Sequence, residues 1–456
     1  MVSLYAASKK IYPRSVEGIF AYWRWIFVAL TQLIFYGLPW VEWGTRQAVL
    51  FDLASRRFYI FGLVLYPQDF IYLTGLLVIS ALALFLFTAV AGRLWCGYAC
   101  PQTVYSEIFL WIEHKIEGDR SARIRLDDAD FSLEKLVKKW YKHIVWIFFS
   151  IWTGFTFVGY FTPIRELAME FFLTQMSSWE LFWVFFYAFA TYGNAGFMRE
   201  QVCKYMCPYA RFQSAMFDND TLIVTYDAER GEPRGPRSKS ADPVALNLGA
   251  CVDCTLCVQV CPTGIDIRNG LQYECIGCGA CADVCDTVMD KLGYARGLVR
   301  YSTQNAMDNK WTSKQMWQRV MRPRIQIYTM ILVAVTLGLL VSIGLRTPFK
   351  VDVVRDRSTL SRITEEGTLE NVYRLQIMNA AEHAQTYHLK VKGLPNIKIT
   401  TDTDVLVEPA QARWVVLRAD IPYGSVPSGS HKIEFEVQAL GTDEVAIEKS
   451  VFIVPR

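Results

Sequence analysis

The sequence has little net charge, few histidines and no cysteine beyond residue 285. Across 456 residues, 47 Lys and Arg face 44 Asp and Glu, a net of +3. That balance leaves no electrostatic footprint for nucleic acid. Of five histidines, only His143 sits at a long apolar segment, so a membrane haem held by histidines is disfavoured. No glycine-rich nucleotide or flavin fingerprint occurs. The first apolar run lacks a small-residue cleavage site and carries tryptophan and Arg24 inside it, so it is not read as a cleaved signal peptide. From about residue 347 on there is no long helical pattern either.

What is there is apolar. The composition is 52% hydrophobic and 14% aromatic, with a mean hydropathy of +0.18, and this points to membrane spans. Five segments are long enough to cross a bilayer, which takes about 20 residues: 20–41, 70–91, 143–161, 179–197 and 325–345. A sixth run, 58–67, is too short to span. It reads as an interfacial or re-entrant piece, or as a buried loop. Basic residues set the expected orientation. Lys9, Lys10 and Arg14 precede the first span, and nine Lys and Arg fill 92–142. Arg165 alone marks 162–178, and Lys310, Lys314, Arg319, Arg322 and Arg324 precede the last span. The expected arrangement has the N-terminus in the cytoplasm and the C-terminus outside.

Two spans end on the same phrase. "LWCGYACPQTVY" (94–105) carries Cys96, Cys100 and Pro101, and "VCKYMCPYARF" (202–212) carries Cys203, Cys207 and Pro208. Each CxxxCP pair follows two spans and precedes an amphipathic stretch, 103–118 or 210–220. These stretches suit the membrane surface or packing on a cytoplasmic domain.

The other eight of the twelve cysteines crowd into 251–285. "CVDCTLCVQVCP" and "CIGCGACADVCD" each read C-x2-C-x2-C-x3-C. In a bacterial two-cluster ferredoxin the fourth cysteine of each run serves the other cluster. One [4Fe-4S] cluster would take Cys251, Cys254, Cys257 and Cys285. The second would take Cys275, Cys278, Cys281 and Cys261. Pro262 closes the first run, and Asp286 stands in the equivalent place of the second. The Pro-, Gly- and charge-rich stretch 230–243 reads as a linker.

Short alternating runs follow: "VYRLQIMN", "TYHLKVKG", "ARWVVLRAD", "HKIEFEVQAL" and "EKSVFIVP". Their spacing predicts a β-sandwich of immunoglobulin-like size. His383, His388 and His431 are read as scattered surface histidines. The expected fold class is therefore an α-helical membrane protein with five transmembrane helices, a cytoplasmic two-cluster ferredoxin-like module and a C-terminal all-β immunoglobulin-like sandwich. The expected divisions are 1–229 (four spans and both CxxxCP motifs), 230–310 (ferredoxin-like), 311–346 (fifth span) and 347–456 (periplasmic sandwich).

The phrases "CGYACPQTVYSEIFLWIEHKIEGDR", "CKYMCPYARFQSAMFD", "TLIVTYDAERGEPRG" and "CPTGIDIRNGLQYECIGC" resemble those of the FixG/CcoG/RdxA family of membrane ferredoxin-like proteins. The resemblance covers essentially the whole chain. It implies a bacterial inner-membrane protein that is accessory to assembly of the cbb-type haem–copper oxidase. It also implies reduction of Cu(II) to Cu(I), with oxidase subunits or copper chaperones as partners beside membrane lipid, and an electron donor of unassigned identity. The residues support part of this. Thiolates are soft and select Cu(I), and two pairs on helix ends can converge into a four-sulfur site of Cys96, Cys100, Cys203 and Cys207. Met206 offers a thioether, and Lys204 and Arg93 are placed to lower the thiol pKa values. Other readings of the pairs stay open: a further iron–sulfur cluster, regulatory disulfides, or structural thiols. At the level of the whole protein, an assembly scaffold and a quinol-fed membrane ferredoxin stand beside the cupric reductase. The orientation puts every cysteine on the cytoplasmic side, so copper is reduced on the inner face or the pairs sit deep enough to serve the membrane.

Overall fold

The computed structural model describes residues 10–238, 245–356 and 361–455. Lys9 and the 239–243 part of the expected linker lie outside the described residues. Two compact units form. One holds the chain up to Glu42 together with Leu73–Leu337; the other holds Trp43–Tyr72 and the chain from Gly338 on.

The first unit is built on helices. Those used below are α1 (Ile19–Gly37), α2 (Phe70–Ala91), α3 (Pro101–Glu117), α4 (Leu133–Val158), α5 (Ser178–Thr191), α6 (Pro208–Ala215), α7 (Ala280–Leu292) and α8 (Pro323–Gly344). Among the described residues three helical stretches are long and apolar enough to cross a membrane: Ile19–Trp40, Pro67–Ala91 and Pro323–Gly344. The other two apolar runs are helical as well. The 26-residue α4 opens with a charged half, LEKLVKKWYK, before its apolar half. Helix α5 continues into the π-helical turn Tyr192–Met198, and its Phe182, Phe185, Phe186 and Phe189 are exposed. Ser177 caps α5 with Glu180 in a reciprocal capping box.

The ferredoxin-like module closes on a two-stranded antiparallel sheet of Ile223–Tyr226 and Val299–Ser302, paired from Ile223 opposite Ser302 to Tyr226 opposite Val299. The described part of the expected linker is not free. The Gly249 N–H donates to the Pro233 carbonyl at 2.8 Å and the Cys251 N–H to the Gly231 carbonyl at 3.3 Å. The Arg237 guanidinium lies over the Tyr294 ring, 5.4 Å from its centre. Backbone hydrogen bonds to the cysteine loop hold this polar stretch where composition alone reads as loose chain.

In the second unit two antiparallel sheets share one core. The first pairs Phe349–Arg355, Thr368–Asn379, Ala412–Pro422 and the short Lys398–Ile399; the second pairs Asp404–Val407, Gln385–Lys392, Gly429–Ala439 and Val445–Val454. All five expected runs fall on these strands. Alternate residues Tyr373, Leu375 and Ile377 point inward and are fully buried, as period-two patterning requires. Tyr373 donates its hydroxyl to the Val451 carbonyl at 2.9 Å, linking the two sheets.

Residues 58–67 are not an interfacial or re-entrant piece. They lie in a three-stranded meander of Val49–Asp52, Arg57–Ile60 and Leu63–Leu65. Its Leu50, Tyr59, Val64 and Tyr66 pack on Met378 of the sandwich. Tyr66 donates to the Asn379 carbonyl at 2.9 Å. The apolar run finds its burial partner far along the chain, 313 residues on for Tyr66 and Asn379, so no local pattern announces it.

Candidate functional site: two cysteine cradles and a thiol constellation

The eight clustered cysteines line two neighbouring cavities. Cys251, Cys254, Cys257 and Cys285 line one. Cys261, Cys275, Cys278 and Cys281 line the other, with Cys257 between the two. These are the crossed sets expected from the spacing. Left-handed backbone turns the loops around them: Gly277 has φ +67° and Gly279 φ +74°, a region glycine enters without steric cost. The Gly277 N–H points at the Cys275 sulfur, 3.4 Å away. Burial pushes the Cys257 thiol up to about 11 and the Cys285 thiol up to about 12. Such thiols keep their protons until a metal displaces them. Four cysteines around each cavity, mostly half-buried or buried with Cys254 exposed, and backbone N–H groups of Gly277 and Ala280 aimed at sulfur in the second fit a cubane cluster in each cavity. Asp286 takes a different task from the proline it replaces: its carboxylate accepts the Gly297 N–H at 2.8 Å.

The two CxxxCP motifs are local copies of each other. Cys96 sits in a short helix, Leu94–Tyr98, and Cys203 in a π-helical turn, Val202–Met206. Cys100 and Cys207 are the extended N-caps of α3 and α6, with proline at the first helical position. Proline suits that place because its missing N–H would be unsatisfied anyway. The closing bond is the same in both: the Cys100 N–H reaches the Trp95 carbonyl at 3.0 Å and the Cys207 N–H the Val202 carbonyl at 2.8 Å.

The four thiols converge. Cys96 lies within electrostatic reach of Cys100 and Cys203, Cys203 of Cys100 and Cys207, and Cys100 of Cys207. All four are free and partly buried. Among the described residues no three His, Cys, Asp or Glu side chains gather at the spacing of a single bound ion. Met206 is exposed.

The expected lowering of the thiol pKa values does not occur. Burial pushes the Cys96 thiol up to about 12 and outweighs the pull of Arg93. The Cys203 thiol rises to about 11 for the same reason, and Cys100 is raised too. Lys204 is engaged elsewhere, donating to the Thr263 carbonyl at 2.9 Å. Desolvation is a property of the folded interior, so cations next in sequence misstate the balance.

This constellation rests directly on the second cradle. A Cβ on Gly97 would stand 2.8 Å from the Cys278 Cα and 2.9 Å from both the Cys278 nitrogen and the Ile276 carbonyl oxygen. Backbone meets backbone there, which only glycine permits. Arg93 spans the seam, donating to the Tyr273 carbonyl and to the Ala210 carbonyl at 2.5 Å. Gln213, fully buried, accepts from the Cys96 sulfur at 3.5 Å and donates to the Gly92 carbonyl at 3.1 Å.

Two further contacts hold the neighbouring helices and have no signature in local sequence. The Asp283 carboxylate, on α7, accepts the N–H groups of Phe20 at 3.2 Å and Ala21 at 2.8 Å. It thereby caps α1, which has no side-chain cap of its own. Glu113, on α3, is buried among Arg199 at 2.9 Å, Arg123 at 3.2 Å and Lys142 at 3.7 Å. Burial works against its charge, but Arg199, Lys142 and Arg123 together hold the carboxyl below its ordinary value.

Taken together, the cradles and spanning helices define a membrane-associated two-cluster ferredoxin with an appended immunoglobulin-like domain. The chain matches a 4Fe-4S binding domain family over 73–118 and a 4Fe-4S dicluster domain family over 198–304. It matches the IG-like fold at the C-terminal of FixG over 339–455. The nitrogen fixation protein FixG of Rhizobium meliloti is 39% identical, over 86% of this chain and 81% of that protein. Protein RdxA of Cereibacter sphaeroides is 38% identical, over 93% of this chain and 92% of that protein. A crystal structure of a FixG-related protein from Vibrio parahaemolyticus is 26% identical over 24% of this chain and 97% of that one, with a TM-score of 0.22. The chain belongs to the FixG/RdxA family of 4Fe-4S electron-transfer proteins.

Proposed function

We propose that the protein is a membrane-bound cupric reductase that supplies Cu(I) for assembly of a cbb-type haem–copper oxidase. Cys251, Cys254, Cys257 and Cys285 hold one [4Fe-4S] cluster; Cys261, Cys275, Cys278 and Cys281 hold the other. Bound there, the clusters supply one-electron transfer at potentials set by charge and hydrogen bonding around the sulfurs. Cys96, Cys100, Cys203 and Cys207 receive Cu(II) and keep it as Cu(I), which soft thiolates favour. Each reduction takes one electron. The observation that carries this reading is the seam at Gly97 and Cys278, where the thiol constellation touches the second cradle through backbone. Copper displaces protons from the four thiols as it binds.

On this reading the chain crosses the bacterial inner membrane five times, with the N-terminus and all cysteines cytoplasmic and the sandwich periplasmic. The shared core of 43–72 and the C-terminal domain supports that, because it requires the first span to exit on the same side as the last. Oxidase subunits or copper chaperones are the partners of the sandwich, and lipid surrounds the spans.

The test is anaerobic. Clusters reduced with dithionite and freed of excess reductant are mixed with Cu(II) and a chromophoric Cu(I) chelator. Cu(I) is expected in step with cluster oxidation, and the joint change of Cys96, Cys100, Cys203 and Cys207 to Ser is expected to abolish it. Clusters that stay reduced in the presence of Cu(II) overturn the reading and leave an assembly scaffold in its place.

A further inference from the structure

Next to the second cradle lies a cleft that holds a largely buried charged pair. Arg24, on α1, is buried, with its side chain 8% exposed. Its Nε has no hydrogen-bond partner among the described residues, and the carboxylate of Glu107 stands at 3.7 Å, beyond hydrogen-bond range. Glu107 and the Cys278 side chain meet part of its charge, but a buried donor left unmet is costly, and the free Nε calls for an acceptor in the cleft. Arg24, Glu107 and Leu110 line this cleft together with Cys278. The same three residues line an adjoining cleft that continues outward past Trp25, Trp111 and His114. Glu107, Leu110, Trp111 and His114 follow the spacing of one α3 face. Trp25 and Trp111 meet edge to face at 6.2 Å and are both exposed, as indoles at a membrane–water boundary are.

The chemistry of the cleft is selective. Cys203 lines the same cleft on its other side, so the cleft borders the thiol constellation as well as the second cradle. The Arg24 Nε offers a donor to a neutral oxygen, Glu107 offers an acceptor for an O–H proton, and apolar Leu110, Pro262 and Ile276 stand among polar Gln102, Thr103 and Ser106. A flat ring bearing hydroxyls, arriving from the lipid phase past Trp25 and Trp111, meets the donor and the acceptor and stacks on the apolar side chains between them.

We propose that this cleft binds a membrane hydroquinone and that the hydroquinone is the electron donor. The inference rests on the clusters being the protein's electron carriers. Oxidation of one hydroquinone to the quinone breaks two O–H bonds and releases two electrons and two protons. One electron goes to each of the two clusters, which matches reduction of two Cu(II) to two Cu(I). The protons leave in turn through the Glu107 carboxylate and past His114 to water. Arg24, beside Cys278, also places positive charge near the second cradle, which makes that cluster easier to reduce.

The test uses the full chain, purified without oxygen with both clusters oxidised and held in nanodiscs. Decylubiquinol or menadiol is added, and bleaching of the cluster absorption is followed. Wild-type clusters are expected to bleach. Glu107→Gln and Arg24→Lys are expected to slow that step by at least about tenfold, with no change in bleaching by dithionite. Dithionite bleaching shows that a variant has folded and holds its clusters. Wild-type clusters that remain oxidised under excess of both quinols overturn the proposal, whatever the variants do. So do folded variants that bleach at the wild-type rate. Reoxidation by Cu(II) after dithionite reduction, followed in the same samples, reports the copper reading separately.

Discussion

Helix α1 depends on a carboxylate 262 residues away, and removing that carboxylate gives the most direct reading of how the ferredoxin module is held. The first N–H groups of a helix lack internal partners. In α1 those of Phe20 and Ala21 donate to Asp283, itself 5% exposed. A hydrogen bond to a charged group is worth about 1.5–3 kcal/mol. The Phe20 bond is long and partly exposed, so the lower end applies to each, giving about 3 kcal/mol for the pair. Asp283→Ala is therefore expected to lose about 3 kcal/mol of local stability at the start of α1, which is about a hundredfold in an opening equilibrium. Asp283→Asn keeps one acceptor and is expected to lose about half of that. Amide hydrogen exchange of the 18–24 peptide reads this opening without requiring reversible unfolding. Protection there should fall about a hundredfold in the Ala variant, while Asp290→Ala on the exposed side of α7 leaves it unchanged. Unchanged exchange in Asp283→Ala would refute the argument that this carboxylate caps α1.

Gly97→Ala places a methyl 2.8 Å from the Cys278 backbone, and such overpacking costs about 1–3 kcal/mol. The strain falls on one ligand loop, so iron content is expected to drop from about eight toward about four atoms per chain, with one cluster signal lost in electron paramagnetic resonance. Glu113 is held below its ordinary carboxylate value, so the stability it contributes is present above that value and lost as pH falls through the folded one. Acidification from neutrality to below about 4 should lower the urea midpoint of the wild type more than that of Glu113→Gln. Equal acid sensitivity would show that the Arg199, Lys142 and Arg123 cluster does not hold this charge.

The cysteine runs were legible because cluster ligation is local: three ligands fall within seven residues, and the crossed fourth follows from the doubled pattern. The sandwich strands were legible from period-two alternation around Tyr373, Leu375 and Ile377. Other features turned on partners far away in the chain. The run at 58–67 is apolar because it packs on Met378. The stretch 230–238 looked like a linker because nothing in it shows that Gly231 and Pro233 bond the cysteine loop. Arg93 and Lys204 read as activators of the thiols, yet burial prevails over Arg93 and Thr263 engages Lys204.

Spacing alone determined which atoms are available: two sets of cluster thiols, two thiol pairs at helix ends and the apolar runs that take the chain to the membrane. Ligand chemistry and hydrophobicity act over a few residues, so they are written in order along the chain. The tertiary structure decided where those atoms meet. Gly97 against Cys278, Asp283 on the first turn of α1 and the buried Arg24 facing Glu107 each depend on desolvation or close approach. Both exist only once distant segments have packed together.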